Sequence, residues 1–255
     1  MIIILLSLLV QEPISPVAVQ WSFKTGQEFF VVEYQRQYIQ VLEPVQTNSY
    51  FDTTRLWRYS VVNRTGDRVT LKVTLEKIIV NNPNESGARA EVMLKNMEGT
   101  QSEWVLLADQ QTWKCLVNES KPGKHSPPWF LTVGTRDWDK TPVGWKQDWE
   151  MPIPSMGQAQ IQLSCTLKQQ TQSTVNITTS AKPIWKSTQD AKVELVSSSS
   201  LPLGMGEYDI NRKCWQYFDY RFSGTWRVQQ HEKTAKVKLD FFGGYRWYER
   251  QPLMR

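Results

Sequence analysis

The sequence predicts an all-β protein of two antiparallel sheet units, sandwich-like or half-barrel, with few or no long helices. Three observations predict it: long runs in which apolar and polar residues alternate with period two, turn clusters rich in Gly, Asn and Pro between those runs, and no amphipathic helical pattern of useful length. At 255 residues the chain is long enough for one large or two smaller β domains with a sizeable core.

The elements follow in order. Residues 1–17 hold a signal-like segment: the apolar run Ile2 to Val10 is broken by Gln11, Glu12 and Pro13. A spanning helix needs about 20 apolar residues, so the run is too short to be a transmembrane anchor, and export to the periplasm or the cell exterior is expected. A first β unit is expected over 18–120. Its opening strand alternates Phe30, Val32, Tyr34, Tyr38 and Leu42 against Glu33, Gln35, Gln37 and Glu43, which places the first set on the core face. Trp57, Tyr59 and Val61 then lead through the turn around Gly66 into Val69, Leu71, Val73 and Leu75, a hairpin whose turn glycine supplies a positive φ. Ala88 to Lys95 reads equally as a short helix or a strand, and Trp104 to Val117 as one or two strands broken at Asp109-Gln110-Gln111.

A connector rich in Pro and Trp is expected over 121–156. Pro122, Pro127, Pro128, Pro142, Pro152 and Pro154 oppose long regular elements there. The second β unit, 157–255, begins with Ile161, Leu163, Cys165 and Leu167 on one face, turns at Gln169 to Ser173, and continues through Val175, Ile177 and Thr179. Shorter runs at Val193 and Leu195, Tyr208 to Phe218, Trp226 to Gln229 and Val237 to Phe242 complete it. Phe51-Asp52 followed by Trp57-Arg58, and Phe218-Asp219 followed by Trp226-Arg227, hint at related halves, although two extra residues separate the second pair of dipeptides.

Composition narrows the function. A net charge of +5 is too dilute for a nucleic-acid surface, and with two His in the chain imidazole chemistry has little material. Most of the net positive charge falls after residue 205, where Tyr217, Tyr220, Trp226, Tyr245, Trp247 and Tyr248 interleave with Lys and Arg. That pattern describes the wet face of a sheet, with no nucleic acid expected as partner. Cys115, Cys165 and Cys214 have no C-x-x-C spacing, and Cys165 reads as a small core residue. Asn63, Asn84, Asn118 and Asn176 each open a glycan-acceptor triplet and mark surface loops.

Candidate chemistry is sparse. His125 beside Ser126 lacks the elbow and the orienting carboxylate of a triad, and His231 sits in a charged turn. Asp137 and Asp139 are too few for a calcium loop, so no metal and no cofactor is expected. Trp129, Trp138, Trp145 and Trp149 crowd the connector and are the candidate ligand-binding residues, because aromatic rings give large contact area at small entropic cost. Asp148 and Glu150 beside two of them are the one carboxylate pair compatible with a hydrolase.

Gly26-Gln27-Glu28-Phe29-Phe30, the Arg68 to Val80 strand and the second half opening at Gly157-Gln158-Ala159-Gln160 resemble exported bacterial β-rich proteins, and in broad layout the half-barrel carriers of the cell envelope. The resemblance implies a compartment and a shape. The expected function is an exported, non-enzymatic β protein that binds lipid or another apolar or amphipathic ligand, or a cell-envelope protein, between its halves. The alternatives are a carbohydrate-binding module using the connector tryptophans and a hydrolase using Asp148 or Glu150.

Overall fold

The computed structural model describes residues 23–66, 68–81, 92, 94–107, 112–118, 144–153, 157–169, 171, 173–186, 191–198, 204–212, 214–230 and 233–254. Twelve strands account for most of them: β1 (Glu28–Glu43), β2 (Thr47–Thr65), β3 (Arg68–Val80), β4 (Gln101–Leu107), β5 (Thr112–Asn118), β6 (Gly144–Ile153), β7 (Gly157–Gln169), β8 (Thr174–Lys186), β9 (Ala191–Ser198), β10 (Gly204–Asp209), β11 (Cys214–Gln230) and β12 (Lys233–Tyr248). The all-β antiparallel class expected from the sequence is observed. Val92, Leu94 and Lys95 form a short helical turn before β4.

The strands make one antiparallel sheet in the order β5-β4-β3-β2-β1-β12-β11-β10-β8-β7-β6, with β9 pairing the half of β11 that β10 does not reach. The sheet is not closed into a barrel. Each wing is largely a meander of neighbouring strands, and the wings join where β1 pairs β12, from Phe30↔Tyr248 to Glu43↔Lys236. The longest strands of the sheet, β2, β1, β12 and β11, are neighbours at this seam.

One face of the sheet is the core. Trp57, Tyr59, Val61, Val69, Leu71, Val73 and Leu75 lie on it in adjacent rows, as the alternation of that hairpin requires, and Gly66 takes φ 58° at its turn. Across the seam the same face carries Phe218, Tyr220, Phe222, Trp226, Leu239 and Phe241, and it continues to Val175 and Ile177 on β8. Phe29 ties the two wings together: its ring stacks on Tyr59 at 5.0 Å and on Trp247 at 3.8 Å. Such ring pairs add about 0.5–1.5 kcal/mol each beyond area burial. The turn between β7 and β8 closes on the Thr171 hydroxyl, which accepts from the backbone N–H of Ser173 and of Thr174.

Two sequence expectations are corrected. On β1 the buried set is Phe29, Val31, Glu33 and Gln37, whereas the expected core set, Phe30, Val32, Tyr34, Tyr38 and Leu42, is only partly buried and lies on the opposite face. Register explains it: Phe29 pairs Tyr59 and Val31 pairs Trp57, and a strand in a ladder must share its neighbours' faces. Second, the Pro-rich connector does hold a regular element, the ten-residue β6, which runs through Pro152. It does so at the sheet's edge, where a residue without an N–H is tolerated.

Glycine permits a close approach at the seam. A Cβ on Gly243 would lie 2.5 Å from the ring of Tyr220, and one on Gly244 would strike Asp219 and, at 2.5 Å, the Tyr34 hydroxyl. Tyr220 is 3% exposed and has nowhere to retreat. Gly243→Ala is therefore expected to lower stability by about 1–3 kcal/mol through overpacking. Urea unfolding followed by Trp fluorescence measures it; an unchanged midpoint would mean that Tyr220 does not cross this backbone.

Candidate functional site

The seam places a polar cluster on the core face. Glu33 is 6% exposed, and a carboxylate so buried needs partners to offset its lost hydration. The indole N–H of Trp57 donates to it at 2.8 Å, and Arg55 approaches it at 3.5 Å while donating to Gln35 at 3.2 Å. Burial, and secondarily Glu33, pushes the Tyr59 phenol well above its usual pKa; burial and the same carboxylate also raise Tyr220. Tyr245 is raised by burial and then by Tyr220. These groups are held in their neutral or paired forms, so the cluster positions the seam and offers no poised acid or base.

The opposite face at the seam is built in cross-strand rows. One row reads Thr54, Tyr34, Gly244 and Asp219 from β2 to β11. Tyr34 reaches across Gly244 to donate to Asp219, and Arg246 from the neighbouring row also donates to Asp219, with its second nitrogen at 2.9 Å. The Arg246 guanidinium lies over the Tyr34 and Tyr217 rings at 5.2 and 5.1 Å. Burial, followed by the bond to Asp219, pushes the Tyr34 pKa up to about 12.

The next two rows read Asp52, Arg36, Phe242 and Arg221, then Tyr50, Tyr38, Asp240 and Ser223. Arg36, Phe242, Arg221, Tyr50, Tyr38 and Asp240 of these rows line a recess of about 310 Å3, together with Gln37 and Phe241. Asp52 holds the first side of it in place, accepting from Arg36 Nε and from the Tyr50 hydroxyl, each at 2.9 Å. Asp240 on the other side accepts from Ser223 and pairs with Lys238 at 3.2 Å. The two Phe-Asp dipeptides thus share a local role. Each puts a carboxylate on the strand flanking the seam, where it receives one Arg and one Tyr.

Of the residues expected to bind ligand, Trp145 and Trp149 lie in β6, paired with Cys165 and Ile161, far from the seam in strand order. Asp148 and Glu150 lie in the same strand, paired with Gln162 and Gln160. The side chains of these four, and Trp129, Trp138, Asp137, Asp139, His125, His231 and the segment 1–17, lie outside the described residues. Cys115 and Cys214 are thiols, and burial pushes the Cys214 pKa up to about 11. No group of three or more His, Cys, Asp or Glu among the described residues is placed to hold a metal. No helix among them is long and apolar enough to cross a membrane. Sequence reasoning missed the recess because its residues come from four strands that are neighbours only through the seam; the run of Arg and aromatic residues after position 205 is its one visible signal.

The fold and site define an all-β protein of one open antiparallel sheet with an aromatic and cationic recess at the seam of its wings. No family model matches the chain, and no curated protein matches it in sequence. Among solved structures it is similar to lipovitellin, described for its lipid–protein interactions, at 9% identity over 92% of this chain and 26% of that one, with a TM-score of 0.39. It is also similar to a LolA superfamily protein from Nitrosomonas europaea, at 8% identity over 92% and 91% of the two chains and a TM-score of 0.17. An outer membrane channel from Pseudomonas putida gives 9% identity over 89% and 97%, with a TM-score of 0.21. The chain spans about a quarter of the lipovitellin chain it matches.

Two outcomes are expected. Glu33→Ala removes the acceptor of the Trp57 N–H and the carboxylate beside Arg55 and should cost about 2–4 kcal/mol, with Glu33→Gln losing less; chemical unfolding separates the two. The raised tyrosines give a pH dependence. Above the ordinary phenol pKa of about 10 the unfolded chain releases protons that Tyr34, Tyr59, Tyr220 and Tyr245 still hold when folded, so stability falls as pH rises past about 10. In an alkaline titration, part of the tyrosinate absorbance should appear together with loss of the β circular-dichroism signal. A smooth single titration of all tyrosines in the folded protein would contradict it.

Proposed function

We propose that this protein is a non-enzymatic binding protein, acting outside the cytoplasm, that holds an amphipathic small molecule in the recess between its two wings. The single observation that carries the reading is the recess itself: about 310 Å3, bounded by β1 and β2 from one wing and by β11 and β12 from the other. That volume lies at the lower end of the roughly 300–1,000 Å3 typical of small-molecule sites. Its lining fits an apolar body. Phe242 and Tyr50 are 38% and 36% exposed, so both retain ring surface to bury, and Tyr38 stands between Tyr50 and Asp240 in the same row.

The lining does not favour catalysis. Its carboxylate, Asp240, and the adjacent Asp52 are each engaged by a cation and a hydroxyl, and no nucleophile–base pair faces the space among the described residues. The export half of the reading is supported by the Ile2 to Val10 run. The seam location keeps the expectation of a ligand between the halves while moving it from the connector tryptophans to Tyr38, Tyr50 and Phe242.

Titration with the neutral fluorophore phenyl-naphthylamine tests the reading. Wild-type protein should enhance its emission saturably, and Phe242→Ala should weaken binding about five- to tenfold, the equivalent of about 1–1.4 kcal/mol. Val62→Ala, near the opposite end of β2, should leave it unchanged. Equal binding by wild type and Phe242→Ala would remove the recess as the site.

A further inference from the structure

Resting on that reading, we infer that the recess selects amphiphiles with an anionic head, carboxylate or phosphate, seated between Arg36 and Arg221. The two arginines share one cross-strand row, on either side of Phe242, because Arg36 pairs Phe242 on β12 and Phe242 pairs Arg221 on β11. Their backbones are therefore two strand spacings apart, about 10 Å, which two long side chains span easily. A head group above the Phe242 ring comes within reach of both.

The charges around the recess are unequally spent. Arg36 is 60% exposed and commits its Nε to Asp52, which leaves the terminal nitrogens of its fork for another acceptor. Arg221 is exposed and has no acidic partner among the described residues. The acids nearest to it in the ladder are already taken: Asp219, two residues before it, receives Arg246 and Tyr34, and Asp240 receives Ser223 and Lys238. One guanidinium is thus left over at a site whose remaining charges are paired. A guanidinium presents parallel N–H groups that match a carboxylate or phosphate, so the surplus selects an anion, and the adjoining rings select one that carries an apolar body.

A matched pair of fluorophores separates the head from the body: neutral phenyl-naphthylamine and its sulfonated relative, anilinonaphthalene sulfonate. Arg221→Gln should weaken the sulfonate about fivefold and leave the neutral probe within about twofold, with Arg221→Lys in between, as expected for one partly exposed charge contact. Salt should weaken the sulfonate alone. Laurate and dodecyl phosphate should each displace the sulfonate, and whichever is the stronger competitor names the head; inorganic phosphate at the same concentration should not displace it. Unchanged sulfonate binding in Arg221→Gln, equal loss of both probes, or displacement by inorganic phosphate alone would each overturn this inference. Failure of the neutral probe to bind wild-type protein would instead overturn the seam reading on which it rests.

Discussion

The pairing of β1 with β12 is the constraint on which the rest depends. Without it the chain has two separate meanders, each exposing one long edge and one apolar face; with it there is a single sheet whose buried face extends from Trp104 and Leu106 on β4 to Val175 and Ile177 on β8. The ladder is held from both sides. On the core face Phe29 stacks between Tyr59 and Trp247, and on the other face Tyr34 and Arg246 converge on Asp219. The paired glycines at 243 and 244 let a tyrosine cross the backbone on each face, so the seam is thinnest where its polar bonds are densest.

The cost of this arrangement is a carboxylate and an arginine in the core. A hydrophobic pair of similar volume at Glu33 and Arg55 would often be at least as stable. What the charged pair adds is direction: Glu33 accepts from Trp57 on the neighbouring strand and Arg55 donates to Gln35, so the network fixes how β1 and β2 meet. A slip of one residue would turn Glu33 out and bring Val32 in, breaking every one of these bonds. The core polarity therefore specifies a register that hydrophobicity on β1 leaves ambiguous.

That ambiguity decides what was legible in the sequence. The β2–β3 hairpin and the β7–β8 hairpin were readable because apolar residues that the alternation names, such as Leu71 and Ile177, lie on the core face. At β1 the hydropathy is inverted. Phe30, Val32 and Tyr34 line the outer rows, while Glu33, Gln35 and Gln37 lie on the core face, so alternation revealed a strand but named the wrong side. The recess was illegible for the same reason. It is assembled from four strands that are neighbours only through the seam, and its residues Arg36, Tyr50, Arg221 and Phe242 carry no local spacing that distinguishes them from any wet sheet face.

The seam also sets the order in which the molecule can be completed. Within β1–β5 every neighbour is supplied by the next stretch of chain, yet the second partner of β1 is β12, which follows all the other strands of the sheet in chain order. Until then the nascent protein carries a long naked edge with aromatic rings beside it, the kind of template that recruits stray strands. Completion of the sheet thus waits on β12, and a chain stalled before Lys233 carries two unjoined wings with sticky edges that quality-control proteases and holdases would be the first to meet.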